Sequence, residues 1–501
     1  MNDSKRNLAR RQRASAARLD PRWQPVTVEP VLASGNVHYE VSERTSAICW
    51  GGLGMLQTVA KRLGLSEAID ERLHLLKRHK PYHESDHVMS LVYNVLSGGR
   101  CLEDLELRRR DPAFLDALGA RRLPDPTTSG DFLRRFGEED VRTLMDATQK
   151  VRAGVWRTRP KAERQLALID VDGTIVKTQG RTKEQQAVSY DGRWGFGPLV
   201  VSLANTQEVL YAVNRPANRP SHDGAAEWMT RAAKEAREAM GFEKVRLRGD
   251  TDFSLTGHFD EWTNAKIEFD FGIDRHPSFV ARAKKIEHWE PLERPQPVRR
   301  GKKRRRSPDV RAQVVEEKGY RELHLEQEHV AELEYQPRKC KKKYRMIVLR
   351  KTICVTTGQL RLDDEVRYHF YVTNLSETYS AADVVRENNA RCNQENLIEQ
   401  LKNGVAATRM PVREFHANWA YLVIASLAWN LKAWSGLLLP EDLGARALIR
   451  MEFRRFLNEV VQQPAQILRT GRRLVFRLLS ANRWTELLLE GTSRLKRWQT
   501  A

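Results

Sequence analysis

Leu166-Ala167-Leu168-Ile169-Asp170-Val171-Asp172-Gly173-Thr174 is the stretch at which the chain changes period. An apolar run closing on two aspartates predicts a short buried strand that ends in acids. Asp170 and Asp172, at i and i+2, share one face of that strand. Before it, residues 45 to 150 read as helices. Leu53, Leu56, Val59, Ala60, Leu63 and Leu65 recur at helical spacing, and a second helix spans about Asp86 to Leu96. Pro124-Asp125-Pro126-Thr127-Thr128-Ser129 breaks the chain and caps the next helix, opened by Phe132-Leu133.

After the aspartates, Pro198 to Leu203 and Val209 to Val213 predict a hairpin across Asn205-Thr206-Gln207-Glu208. An amphipathic helix follows from Gly224 to about Met240. Then come a strand, Val245 to Leu247, running into Arg248-Gly249-Asp250-Thr251-Asp252-Phe253, and another at Ile267 to Phe271. The class is α/β, and this order suits a ribonuclease-H-like core, although other α/β folds share parts of it. From Pro291 the pattern breaks into a strand-rich, basic insertion with strands at Met346 to Val355 and His369 to Val372. Ala417 to Leu431 reads as a buried apolar helix, and Ile467 to Phe476 as a small hairpin around Thr470-Gly471.

The 501 residues carry 85 Lys+Arg against 65 Asp+Glu, a formal charge of +20, which favours a polyanionic partner. With 41% hydrophobic residues the chain is globular, long enough for roughly two to four domains. Cys49, Cys101, Cys340, Cys354 and Cys392 are odd in number and never in C-x-x-C spacing, so neither a disulfide framework nor a zinc knuckle is implied. No apolar run suits a membrane span, and a cytoplasmic, nucleoid-associated place is the expectation. Two basic runs stand out. Arg299, Arg300, Lys302, Lys303, Arg304, Arg305 and Arg306 form one, and Lys341, Lys342 and Lys343 lie in the other. Such runs are usually solvated loops; inside a catalytic domain they become candidate phosphate contacts.

Asn388 to Lys402, NNARCNQENLIEQLK, is helix-compatible, and steps of four and seven set Arg391, Glu395 and Lys402 on one side. One acid between two bases suits a carboxylate that holds a metal beside a phosphate backbone. Joined by Asp172 and Asp250 at two strand ends, Glu395 would complete a three-carboxylate site for Mg²⁺, with Mn²⁺ as substitute. Each residue also has a plainer reading. A strand-end Asp is commonly a turn or cap residue, Asp170 and Asp252 rival their neighbours, and Glu399 rivals Glu395.

These motifs resemble the cut-and-paste insertion-sequence transposases of bacteria with a three-carboxylate (DDE) site, in the group 1-like subfamily. Arg391-x3-Glu395-x6-Lys402 matches their last catalytic helix, with Asn388 where they carry Tyr. LIDVDGTIVKT, YDGRWGFGPLVVSLANTQEVLYAVNRPANRPSHDGAAEW, LRGDTDFSL, YQPRKCKKKYRMIVLRK and RTGRRLVFRLL carry the rest of the likeness, over about residues 45 to 480. The resemblance implies Asp172, Asp250 and Glu395 as the metal-binding catalytic triad, with Arg391 and Lys402 on DNA phosphates. It also implies a homodimer acting in a synaptic complex on double-stranded DNA, both terminal inverted repeats and target. Trp194 and Trp289 are candidate stacking partners for a flipped base, or packing residues.

The domain layout expected from sequence begins with a basic flexible arm, 1–44, and a helical region, 45–160, that binds DNA ends or serves as scaffold. The catalytic core follows in two parts, 161–289 and 374–435, around the β-rich basic insertion, 290–373. A helical and hairpin region, 436–501, is a candidate for dimerisation. Two rivals remain. DVDGT also opens haloacid-dehalogenase-like phosphatases, which would make Asp170 the nucleophile, Asp172 the general acid and Asp250 with Asp252 the Mg²⁺ ligands. A catalytically decayed transposase that only binds DNA is the other.

Overall fold

A computed structural model gives the fold, and its described residues are 2–22, 37–41, 45–178, 180, 182–293, 321–357, 360–471 and 473–497. Two compact units emerge. The first comprises residues 1–160, 174–219 and 396–501, and the second 161–173 and 220–395. This division departs from the sequence layout, because 174–219 and 396–435 go with the helical ends of the chain.

In chain order the first unit begins with α1 (Asn2–Arg18), β1 (Ala47–Ile48), α2 (Leu53–Arg62), α3 (Leu65–Arg72) and α4 (Glu84–Leu96). The expected flexible arm is therefore helical over Asn2–Arg18. There follow α5 (Leu105–Arg109), α6 (Pro112–Leu118), α7 (Pro126–Leu133) and α8 (Glu138–Arg157). Asp111 and Asp125 cap α6 and α7 by accepting from Ala113 N at 2.9 Å and Thr128 N at 2.8 Å, each with proline at the first helical position.

β2 (Leu166–Gly173) belongs to the second unit, and the chain then returns to the first with β3 (Val176–Lys177), β4 (Ala187–Val188) and β5 (Trp194–Phe196). The predicted hairpin is present as β6 (Leu199–Leu203) and β7 (Glu208–Val213), with Gln207 at a φ of 58° in its turn. The second unit resumes with α9 (Ala225–Glu238), β8 (Lys244–Gly249), α10 (Phe259–Asn264), β9 (Glu268–Ile273), α11 (Pro277–Ala283) and β10 (Glu290–Pro291). It continues through β11 (Arg321–Tyr335), β12 (Tyr344–Thr357), β13 (Leu360–Thr373) and α12 (Ala381–Asn389). After α13 (Asn393–Glu399) the first unit closes with α14 (Phe415–Leu438), α15 (Phe453–Phe456), β14 (Ala465–Thr470), β15 (Arg473–Leu478) and α16 (Thr492–Arg497). The tail hairpin predicted around Thr470-Gly471 is β14–β15, and β1 adds to it.

The first unit is organised around α14, whose Ala417–Leu437 are all buried. A helix apolar on every side belongs in a core, and this one packs on α2, α4, α8 and β7. Backbone groups of β7 take side-chain partners that stand in for a further strand. Asn430 pairs with both Val209 N (2.8 Å) and Val209 O (2.9 Å), Gln149 donates to Leu210 O (2.8 Å), and the Trp419 indole donates to Ala212 O (2.6 Å). At the start of β7, fully buried Glu208 accepts from Arg152 (3.0 Å), Trp156 (3.0 Å), Trp434 (2.7 Å) and Thr206 (2.6 Å).

The second unit is built on a mixed sheet. β2, β8 and β9 are parallel, and β13, β12, β11 and β10 continue antiparallel from β9. The strand-rich stretch after Pro291 thus extends the same sheet, through Thr373 opposite Asp270. Helix α9 packs on β2 and β8. Among the described residues no helix is long and apolar enough to cross a membrane.

Candidate active site

The parallel register fixes the two aspartates. Asp170 lies opposite Arg248, so Asp172 in β2 and Asp250 just past β8 stand two residues further along, on one face at the carboxyl ends of the strands. In open α/β sheets that edge is where ligands bind. The approach is close. A side chain at Gly249 would place its Cβ 2.7 Å from the Phe253 Cβ and 3.2 Å from Val171, so glycine is required beside Asp250.

The third acid arrives by a less regular route than one uniform helix. Between α12 and α13 lies a 3₁₀ turn, Ala390–Cys392, and after α13 a π turn, Gln400–Gly404. Overwinding and underwinding interrupt the single uniform helix expected from the sequence. Arg391 instead reaches Asp172, with its Nη1 3.5 Å from the carboxylate. Glu395 opens α13 and is exposed, while Lys402, on the π turn, belongs to the first unit. Asn388, at the position of the family's tyrosine, is buried and donates from Nδ2 to Asp270 O at 3.3 Å.

Charge couples the acids. Burial and the neighbouring Asp250 push the Asp172 carboxyl up to about 6; Glu395 adds to the rise, while Arg391 and the Gly173 N–H oppose it. Asp250 is also raised, by burial first, with Arg391 pulling it down and Asp252 and Asp274 pushing it up. Asp172 thus feels Asp250, Arg391 and Glu395, and Asp250 feels Arg391. Among the described residues, no three His, Cys, Asp or Glu side chains are already gathered as one ion's ligand set. Asp274, just past β9, is an acid of this cluster that the strand-end pattern did not single out.

Asp170 has a different task from Asp172. It is 1% exposed, and both its oxygens are held by the Arg248 guanidinium at 2.7 and 2.9 Å. A carboxylate enclosed in that way cannot attack a phosphate ester, which removes the phosphatase reading with Asp170 as nucleophile. Asp252 serves the turn, its N–H donating to Asp250 Oδ1 at 3.0 Å. Glu399 lies in the first unit, where Asn403 donates to it.

The basic runs fare unevenly. Arg299, Arg300, Lys302, Lys303, Arg304, Arg305 and Arg306 lie outside the described residues. The turn bearing Lys341, Lys342 and Lys343 is tied down by Asp260, which accepts from Lys341 N at 2.6 Å and from the Tyr344 hydroxyl at 2.6 Å. Lys342 Nζ donates to Asn264 at 2.6 Å and Lys343 pairs with Glu334 at 2.7 Å, so both ammonium groups already have protein partners. Trp289 packs under the Arg350 guanidinium, 4.4 Å from its ring centre, whereas Trp194 is exposed.

A charged grid behind the acids was overlooked in the sequence. Arg246-Leu247-Arg248-Gly249-Asp250 alternates, and this signal predicts two arginines on the same strand face as Asp250. Both arginines are buried.

No curated protein matches the chain. Among solved structures it is similar to a piggyBac transposase synaptic complex with hairpin DNA, at 10% identity and a TM-score of 0.37, covering 83% of this chain and 84% of that one. The family model described as Transposase DDE domain group 1 matches residues 45–500, nearly the whole length, and the chain belongs to that family.

Proposed function

We propose that this member of the DDE transposase family cuts double-stranded DNA at element ends and joins them to target DNA, using Asp172, Asp250 and Glu395. The observation that carries the reading is the parallel register that sets Asp172 and Asp250 at adjacent strand ends, where burial first and the neighbouring Asp250 second raise Asp172 to about 6. Asp172 and Asp250 come from separate strands at the open end of a parallel sheet, and Glu395 adds to the charge felt by Asp172. Raised, clustered acids in such a place mark functional sites.

The donor set fits a hard divalent cation, Mg²⁺ or Mn²⁺, because it offers carboxylate oxygens and excess negative charge. When bound, such ions supply an activated nucleophile and neutralise the leaving oxygen of the phosphodiester. The chain's own part is to present Asp172 and Asp250 from stiff strand ends and Glu395 from the following helical run. Arg391 provides the counter-charge beside Asp172, and with Lys402 it binds DNA phosphates. In the cleavage step a water oxygen bonds to phosphorus, the 3′-oxygen leaves and a proton is released. In joining, that 3′-hydroxyl bonds to a target phosphorus and displaces the target's own 3′-oxygen.

The parallel β2, β8 and β9 with α9 between them in sequence support a ribonuclease-H-like core, in which 290–373 is the insertion. The net charge of +20 supports DNA as partner and a place with the nucleoid, with residues 45–160 binding the ends and a homodimer pairing them. The test is cleavage of supercoiled plasmid by the purified chain with Mg²⁺ or Mn²⁺. Cleavage is expected in the parent and absent from Asp172→Asn, Asp250→Asn and Glu395→Gln. A parent that binds DNA but never cuts would identify a decayed, DNA-binding relative instead.

A further inference from the structure

The face of the second unit's sheet that carries Asp172 and Asp250 is charged for some distance behind them. Register sets Asp170, Arg248 and Asp270 side by side on β2, β8 and β9, with Arg246 beside Glu268 in the row before. Such a face is costly to bury unless every charge is answered. Arg248 answers Asp170, as Arg246 answers Glu268. Arg248 is 2% exposed, its Nε and Nη2 grip the two Asp170 oxygens, and its Nη1 donates at 2.9 Å to the main-chain carbonyl of Glu387. That carbonyl lies in the last turn of α12, four residues before Arg391. Arg246 reinforces the same point, with its Nη1 3.7 Å from the Glu387 carboxylate and its guanidinium 4.6 Å from the Tyr379 ring centre. Asn388, the next residue, donates to the β9 backbone.

We propose that Arg248, clamped by Asp170, is a positioning residue that fixes the end of α12 on β2 and β8, and so sets where Arg391 and Glu395 meet Asp172 and Asp250. A planar guanidinium suits this work. It makes two parallel bonds to one carboxylate and still has a rigid N–H for a carbonyl on another element, which a lysine ammonium does not match. The inference deepens the proposed function and rests on it only for the consequence at the metal.

Two measurements on the full-length chain decide it. In amide hydrogen exchange, Arg248→Met exchanges at least ~10-fold faster over residues 385–395, while the amides of α9 keep their protection. In calorimetric titration with Mn²⁺ alone, the same variant binds roughly 10-fold more weakly, the loss typical of a disturbed support around metal ligands. Arg248→Lys, which keeps the charge and serves if the methionine variant does not fold, falls between parent and Met in both. Unchanged exchange over 385–395 in either folded variant overturns the proposal, as does an increase spread evenly over the whole unit. A parent that does not bind Mn²⁺, or an Asp172→Asn variant that binds it equally well, sinks the metal reading instead and leaves the exchange result to decide Arg248.

Discussion

Both units bury charge, but they finish the task differently. In the first, Glu208 lies fully enclosed and each of its oxygens is met by donors from Arg152, Thr206 and two tryptophan indoles. In the second, the Asp170–Arg248 pair is closed, yet one row further the carboxylates of Asp172 and Asp250 share a single arginine. Asp270 lies completely buried beside Arg248. A satisfied ionic cluster fixes a core, and an excess of acids with too few donors is a site that gains by taking up a cation. The same residue types are thus fully partnered in one unit and crowded together in the other.

The sharpest way to break this contrast is to neutralise an acid in each unit. Asp172→Asn should cut metal-dependent DNA cleavage on the order of 10³-fold, while its thermal midpoint stays level or rises, because a repelled carboxylate is gone. A lower midpoint with cleavage intact would reverse the assignment. Glu208→Ala should do the opposite and destabilise the chain by about 3–5 kcal/mol, since Arg152 is left buried without its partner; denaturant titration reads this directly.

A more gradual effect concerns pH. Burial pushes the Asp270 carboxyl up to about 8, against an ordinary value of 3.8, so the native state keeps a proton that the unfolded chain gives up. The contribution is whole below the ordinary value and is lost as pH rises toward about 8. Over that window stability should fall by up to ~1.4 kcal/mol per pH unit from this group. Asp270→Asn should flatten that slope, and a slope unaltered by the substitution would show that Asp270 is ionised in the native protein. Next in size, Trp419→Phe leaves the Ala212 carbonyl without its indole donor and should lose about 1–3 kcal/mol. Least of all, Lys343→Ala removes an exposed pair with Glu334 and should alter stability by less than ~1 kcal/mol.

Much of the framework was legible in the residues. The strand at Leu166, the hairpin around Gln207, helix α9, and the tail hairpin at Gly471 follow from local periodicity and turn chemistry. The buried course of α14 was legible too, because apolar residues at every azimuth leave it no surface to present. The helical start at Asn2–Arg18 was missed, since a polar basic run offers no apolar stripe from which to read a helix. The inward arginines of β8 were missed because charge is ordinarily a sign of solvent. The lysine turn was read for its charge alone, although Asp260, some eighty residues earlier, is what anchors it.

By itself the sequence determined the alternation of elements, the class of chemistry suggested by separated acids among bases, and the family likeness. Those depend on neighbours along the chain and on motif order, which a string of residues displays. Only the tertiary structure distinguished the surroundings of Asp170 and Asp172, two positions equal in period and type. The reason is register: parallel pairing set Arg248 opposite Asp170 and left Asp172 one row nearer the open edge, beside the Asp250 that follows the next strand.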